Sequence, residues 1–260
     1  MSELKSVEQK QPLANGKHKK GDVQPQVRAL GDKVKVFINR ERQNLRGGFK
    51  NIVGKLKSER HEPLPARALI GRKAPDFKAT AVFEQEFREI QLSEFEGKYV
   101  LLFFYPLDFT FVCPTELHAF QEKLSEFKKK GVELLACSVD SKFSHLNWLK
   151  VQKDQGGISG VQYGLISDLG GHIANEYGVL SDEGVAYRAL FLIDQKGIVR
   201  HQLINDLPLG RSVDEALRTV DALQHVEKNE EVCPANWKKG AKAIRPTQES
   251  VAEYMGGPTK

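Results

Sequence analysis

Two of the three cysteines of this 260-residue chain lie in the same tripeptide, Val112-Cys113-Pro114 and Val232-Cys233-Pro234, in unlike surroundings. The first follows the apolar run 99–105 and opens a helix-like stretch; the second lies in a charged C-terminal segment. That asymmetry suits one thiol built to react and another that arrives later. A thiol attacks as its anion, and an ordinary thiol with pKa about 8.5 is only a few per cent ionised at neutral pH. Cys113 has the setting to do better. It falls just past a buried strand, Pro114 suits the first helical position, and helix N-terminal amides favour an anion. Thr110, three residues earlier, can turn its hydroxyl to the sulfur or to a substrate oxygen. A lone cysteine is more often a small packing residue, and Cys137, inside the apolar run 132–139, reads that way.

Pro106, Thr110 and Cys113 form the pattern P-x-x-x-T-x-x-C within Phe104-Tyr-Pro-Leu-Asp-Phe-Thr-Phe-Val-Cys-Pro-Thr-Glu116. This segment closely resembles the active-site signature of the peroxiredoxins, and the second Val-Cys-Pro resembles that of their typical two-cysteine class. The resemblance covers about residues 66–250, including Ser138-Val-Asp-Ser141, His145-Leu-Asn-Trp148, Asn205-Asp-Leu-Pro208 and Cys233-Pro-Ala-Asn-Trp237. It implies a thioredoxin-like fold and a thiol peroxidase acting on hydrogen peroxide and small organic hydroperoxides. Cys113 would be the peroxidatic cysteine, passing through a sulfenic acid, and Cys233 the resolving cysteine supplied by the other subunit of a head-to-tail homodimer. Such dimers often form rings of five, a decamer, and thioredoxin or a similar dithiol returns the electrons. Arg188, in Gly184-Val-Ala-Tyr-Arg188, matches the family's active-site arginine, whose permanent charge can serve thiolate and peroxide together. Glu116 matches the position that orients it. His118 lies one turn into the helix, but no base is needed once the thiolate exists. The alternative from another class is a redox relay or an oligomeric chaperone.

These residues need an α/β framework: a central mixed sheet flanked by helices, with a C-terminal arm. Segments 77–83 and 88–92 read as a strand pair, and 100–105 as a central strand because it is apolar throughout. A helix over 115–130 follows, with Leu117, Phe120, Leu124 and Phe127 on one side, then a strand over 132–139, an order that implies a right-handed parallel crossover. Helices are expected at 144–153 and 168–177, and a strand pair at 189–194 and 198–204 turned by Gln195-Lys-Gly197. Ser212-Val-Asp-Glu215 reads as a capping box starting a helix over 213–226. The peroxidase domain is set at 64–228; residues 229–260 show no strong periodicity and form a mobile arm that carries Cys233.

The charge is uneven. Residues 1–62 hold 15 Lys/Arg against 7 Asp/Glu, whereas the rest of the chain is nearly balanced. Residues 1–25 are too polar to offset their ordering entropy. Leu45, Phe49, Ile52, Val53 and Leu56 recur at helical spacing among basic residues, so the extension 1–63 is read as largely disordered with an amphipathic helix at 45–57. Pro63 and Pro65 then mark a linker. Contact of this extension with nucleic acid or an anionic membrane is one reading; a solubilising tail is the plainer one. No run approaches the roughly 20 apolar residues of a membrane span, and the N-terminus lacks the apolar core of a secretory signal, so a soluble cytoplasmic protein is expected. Three cysteines without C-x-x-C or a Cys/His cluster argue against a disulfide framework, a zinc site or a thioredoxin-type reductase. No cofactor or metal is expected.

The chain departs from the family's overoxidation-sensitive members at two places. Where those carry Gly-Gly-Leu-Gly and a C-terminal Tyr-Phe pair, this sequence has Gly156-Gly-Ile-Ser-Gly160 and Tyr254-Met255. Both features delay the resolving cysteine, so their loss implies an enzyme that closes its disulfide before sulfinic acid forms.

Overall fold

A strand made of Tyr99-Val-Leu-Leu-Phe-Phe104 has no face fit for water, so it must lie inside a sheet covered on both sides. The computed structural model, which describes residues 68–256, places it there. The strands are β1 (Lys78–Phe83), β2 (Glu86–Gln91), β3 (Tyr99–Phe104), β4 (Val132–Ser138), β5 (Gly164–Ser167), β6 (Arg188–Ile193) and β7 (Val199–Asn205). They form one mixed sheet in the order β2-β1-β5-β4-β3-β6-β7. The neighbours β3, β4 and β5 are parallel, and all other pairings are antiparallel.

Among the described residues six α-helices accompany the sheet: α1 (Cys113–Glu122), α2 (Leu124–Lys129), α3 (Lys142–Trp148), α4 (His172–Glu176), α5 (Val213–Asn229) and α6 (Gln248–Tyr254). Alternation along β3 sends Leu101 and Phe103 into one core with Leu117, Phe120, Phe127, Trp148 and Val220, contributed by α1, α2, α3 and α5. Val100, Leu102 and Phe104 enter the other, with Ala174 of α4 and Phe191 of β6. Each fully buried aliphatic or aromatic side chain contributes about 1.5–3 kcal/mol, so the centre of the sheet is its most stable part.

Several expectations change in detail. The helix expected over 115–130 is two helices interrupted at Lys123 (φ −98°, ψ 1°), yet Leu117, Phe120, Leu124 and Phe127 are all buried across the interruption. The helix expected over 144–153 ends at Trp148, and the one over 168–177 shrinks to α4, because Asp168 accepts from the amides of Ile173 and Ala174 and the chain turns there before the helix begins. Strand β5 had no counterpart in the sequence reading. Four residues are too few to show a period, but β5 is buried between β1 and β4. The capping box is half made: Ser212 Oγ accepts from Glu215 N at 3.2 Å, whereas the Glu215 carboxylate turns to Arg218 at 2.7 and 2.8 Å. A guanidinium fork binds a carboxylate more strongly than a single amide does. The calls on residues 1–63, including the helix at 45–57, lie outside the described residues.

Candidate active site

Cys113 is the first residue of α1 and Pro114 the second, one place later than the proline was expected. The N-cap residue Val112 has helical torsions and no side chain caps the helix. Pro114 has no N–H and the amides of Thr115 and Glu116 already donate to Val112 O at 3.1 and 3.3 Å, so of the first amides that of Cys113 itself is left for a bound group. The thiol is fully buried. Thr110 Oγ1 lies 2.9 Å from Cys113 Sγ and 2.9 Å from Leu107 O. A hydroxyl has one hydrogen, so with a thiol it donates to Leu107 O and accepts from S–H, and with a thiolate it turns to the sulfur. Pro106 is buried at the end of β3, where its ring blocks continuation of the ladder.

The cationic side comes from β6. Arg188, its first residue, places Nη1 3.4 Å from Cys113 Sγ and 2.8 Å from Glu116 Oε2, while Leu207 O accepts from its Nε. Arg211, just before α5, is the residue that sequence reasoning missed. Its backbone N and Nε lie 2.8 Å from Glu116 Oε1 and its Nη2 2.9 Å from Oε2, and its Nη1 donates to Phe104 O and Ala189 O. Burial would raise the Glu116 carboxyl, but the hydrogen bonds and charge of Arg211, with the charge of Arg188, hold it below the usual carboxylate range. The two arginines are thus fixed by a common buried anion. One guanidinium faces the sulfur; the other ties the site to the ends of β3 and β6.

The structure therefore brings Thr110, Cys113, Glu116 and Arg188 together, Arg188 reaching both Cys113 and Glu116 and Thr110 reaching Cys113, whereas Pro106 is buried at the end of β3 without a hydrogen bond to the group. It does not bring Cys233 to them. Cys233 Sγ lies 3.7 Å from Ala222 O of α5, and burial raises its pKa against the charge of Arg218. All three cysteines are free. Cys137 packs in the second core, where burial pushes its thiol well up and makes it a poor nucleophile. His118 is tied to Gly157 O at 3.0 Å, a packing role rather than a chemical one. Among the described residues no His, Cys, Asp and Glu cluster is placed to hold a metal ion.

Comparison with known proteins shows the family. Residues 70–202 match the AhpC/TSA family, and residues 222–257 match the C-terminal domain of 1-Cys peroxiredoxin. The chain belongs to the AhpC/TSA family of peroxiredoxins. Peroxiredoxin-2 of Macaca fascicularis is 53% identical over 189 residues, 72% of this chain and 96% of that protein. The chloroplastic 2-cysteine peroxiredoxin of Chattonella marina var. antiqua is 54% identical over 179 residues, 68% and 92% of the two chains. The reduced 2-Cys peroxiredoxin of Plasmodium vivax superposes with TM-score 0.72 at 52% identity, covering 73% of this chain and all of that one. This peroxiredoxin is a two-cysteine thiol peroxidase with the thioredoxin-like fold, and peroxides are its substrates.

The cytoplasmic expectation is overturned by the same relatives. One is chloroplastic, and a 47% identical structure, with TM-score 0.61 over 64% of this chain and all of that one, is the mitochondrial 2-Cys peroxiredoxin of Plasmodium falciparum. Organellar transit segments are basic and amphipathic, so lack of an apolar secretory core says nothing against them.

Proposed function

We propose that Cys113 is the peroxidatic cysteine and Cys233 the resolving one, with Thr110, Arg188, Glu116 and Pro106 building the site and Arg211 bracing it. The observation that carries this reading is the pair of contacts on one sulfur, Thr110 Oγ1 at 2.9 Å and Arg188 Nη1 at 3.4 Å. The thiolate attacks one peroxide oxygen; an S–O bond forms, the O–O bond breaks, and the other oxygen leaves as hydroxide or alkoxide and takes a proton. Charge grows on that leaving oxygen, where fixed hydrogen-bond donors lower the barrier most. Arg188, held by Glu116, and the rotatable hydroxyl of Thr110 supply them. The Cys113 sulfenic acid then condenses with the Cys233 thiol of a second subunit, releasing water and forming a disulfide. Thioredoxin or a similar dithiol reduces that disulfide and is itself oxidised. The working unit is a homodimer, assembled further into a ring.

Peroxide consumption by the purified chain with a thioredoxin system tests this. Cys113→Ser should abolish it, and Cys233→Ser should leave sulfenic acid formation intact while blocking recycling by thioredoxin. Full activity of Cys113→Ser would sink the assignment.

A further inference from the structure

Asp108 lies in the connection between β3 and α1, two residues before Thr110, and its carboxylate is buried against His145; the two side chains are 1% and 0% exposed. Oδ2 faces His145 Nδ1 at 2.8 Å and Oδ1 accepts from the Tyr105 hydroxyl at 2.8 Å. The other imidazole nitrogen, Nε2, faces Ile166 O of β5 at 3.1 Å. Carboxylate and carbonyl oxygens only accept, so both contacts are hydrogen bonds when the ring donates from both nitrogens as imidazolium. His145 then bridges a central strand to the connection that carries Thr110.

A second observation points to the same place. Phe109, between Asp108 and Thr110, has φ 55°, a left-handed backbone that a bulky residue holds only where its surroundings over-determine it. Its ring rests on Trp148 with centroids 5.7 Å apart. His145 and Trp148 are three residues apart on α3, hence on one face of that helix. One helix face thus grips consecutive residues of the turn, His145 on Asp108 and Trp148 on Phe109. The backbone is held as well: Asp108 N donates to Asp140 Oδ2 at 2.9 Å, and Ser138 Oγ donates to the same oxygen at 2.7 Å. Burial, and then the Asp108 charge, push the Asp140 carboxyl up.

We propose that His145, acting through Asp108, is a positioning residue for the peroxidase reaction: α3 clamps the 107–110 turn and so aims the Thr110 hydroxyl at the sulfur and the bound peroxide. The inference rests on Cys113 being the attacking thiol. Thr110 matters to a peroxide, whose oxygens must be aligned for in-line attack, and little to an alkylating agent that needs only an accessible thiolate.

The test compares, on the full chain, the second-order rate of Cys113 oxidation by hydrogen peroxide with its alkylation by iodoacetamide, followed by mass spectrometry of the Cys113 peptide. In His145→Phe the peroxide rate should fall about tenfold to a hundredfold, the scale of losses from small misplacements, with alkylation unchanged within about twofold. Should the phenylalanine variant not fold, Asp108→Asn alters the same pair without changing its volume and should show the same split. The double variant should be no slower than the slower single, since residues acting as a unit are not additive. Unchanged peroxide rates, equal loss in both reactions, or additive losses would each overturn the proposal. Failure of the underlying reading would look different, as Cys113→Ser retaining peroxidase activity.

Discussion

Buried between two guanidinium groups, Glu116 accepts four hydrogen bonds, three from Arg211 and one from Arg188. A single carboxylate therefore sets the direction of the arginine that faces Cys113. Its proton affinity is lowered in the fold, by Arg211 and then Arg188 acting against burial. A depressed carboxyl stabilises the native state above its unfolded pKa, about 4.3, and that stability disappears as pH falls through the lower folded value. Urea unfolding of the wild type should accordingly lose stability below about pH 4.3, whereas Glu116→Gln should lose this part of the acid dependence. At neutral pH the variant should be about 3 kcal/mol less stable, because two buried cations lose their anion, and slower with peroxide because Arg188 is no longer fixed. Equal acid slopes in the two proteins would remove Glu116 from this role.

The C-terminal arm is the element in which the sequence reading and the structure differ most. Segment 229–260 lacks periodicity, which predicts a mobile arm, yet its described part packs on α5 through Glu231, Cys233 and Trp237. Val232 and Ile244 exchange backbone hydrogen bonds at 2.8 and 3.1 Å. Trp237 is 3% exposed, its ring 4.7 Å from that of His225, and Arg218 Nη1 donates to its carbonyl at 3.1 Å. One buried tryptophan and one short bridge hold the arm, and neither repeats along the chain, so no window of residues reveals them. The same physics explains what was legible at the site. Cys113, Thr110 and Pro106 lie within eight residues and carry their pattern locally, whereas Arg211 meets Glu116 across 95 residues and Asp108 meets His145 across 37, contacts made only by the fold. Central strands were legible because they are apolar on both faces; β5 was too short to be so. Docking also has a chemical consequence. Beside Ala222 O, Cys233 is partly desolvated and its pKa raised, so in the proposed mechanism release of the arm from α5 frees its thiol to meet a sulfenic acid. Helix α6, which carries Tyr254 and Met255, buries no residue and adds little to the latch. At millimolar peroxide the wild type should therefore accumulate disulfide rather than Cys113 sulfinic acid. Trp237→Ala, which removes the anchor, should lower the sulfinic fraction further; a rise, measured by mass spectrometry after turnover, would mean that docking presents Cys233 instead of withholding it.

At the scale of the whole molecule, the question is where the second sulfur comes from. Within one chain Cys113 lies buried at the start of α1, while Cys233 is held against α5 with no contact to it. Among the described residues Phe109, Phe111, Phe143 and Leu169 are from 55 to 92% exposed, large apolar side chains that a second subunit would take out of water. A partner subunit answers both observations, covering apolar surface and delivering the resolving thiol. Peroxide-treated protein should then run as a covalent dimer on non-reducing electrophoresis and return to monomer with a dithiol. Mixing Cys113→Ser with Cys233→Ser subunits under exchange should restore one disulfide per mixed pair, because each mutant keeps the thiol that the other lacks. Neither mutant alone should form it. A disulfide that stays at monomer mobility in the wild type would place both thiols in one chain and require α1 and the arm to unfold toward each other, so the electrophoretic result separates partner delivery from rearrangement within a subunit.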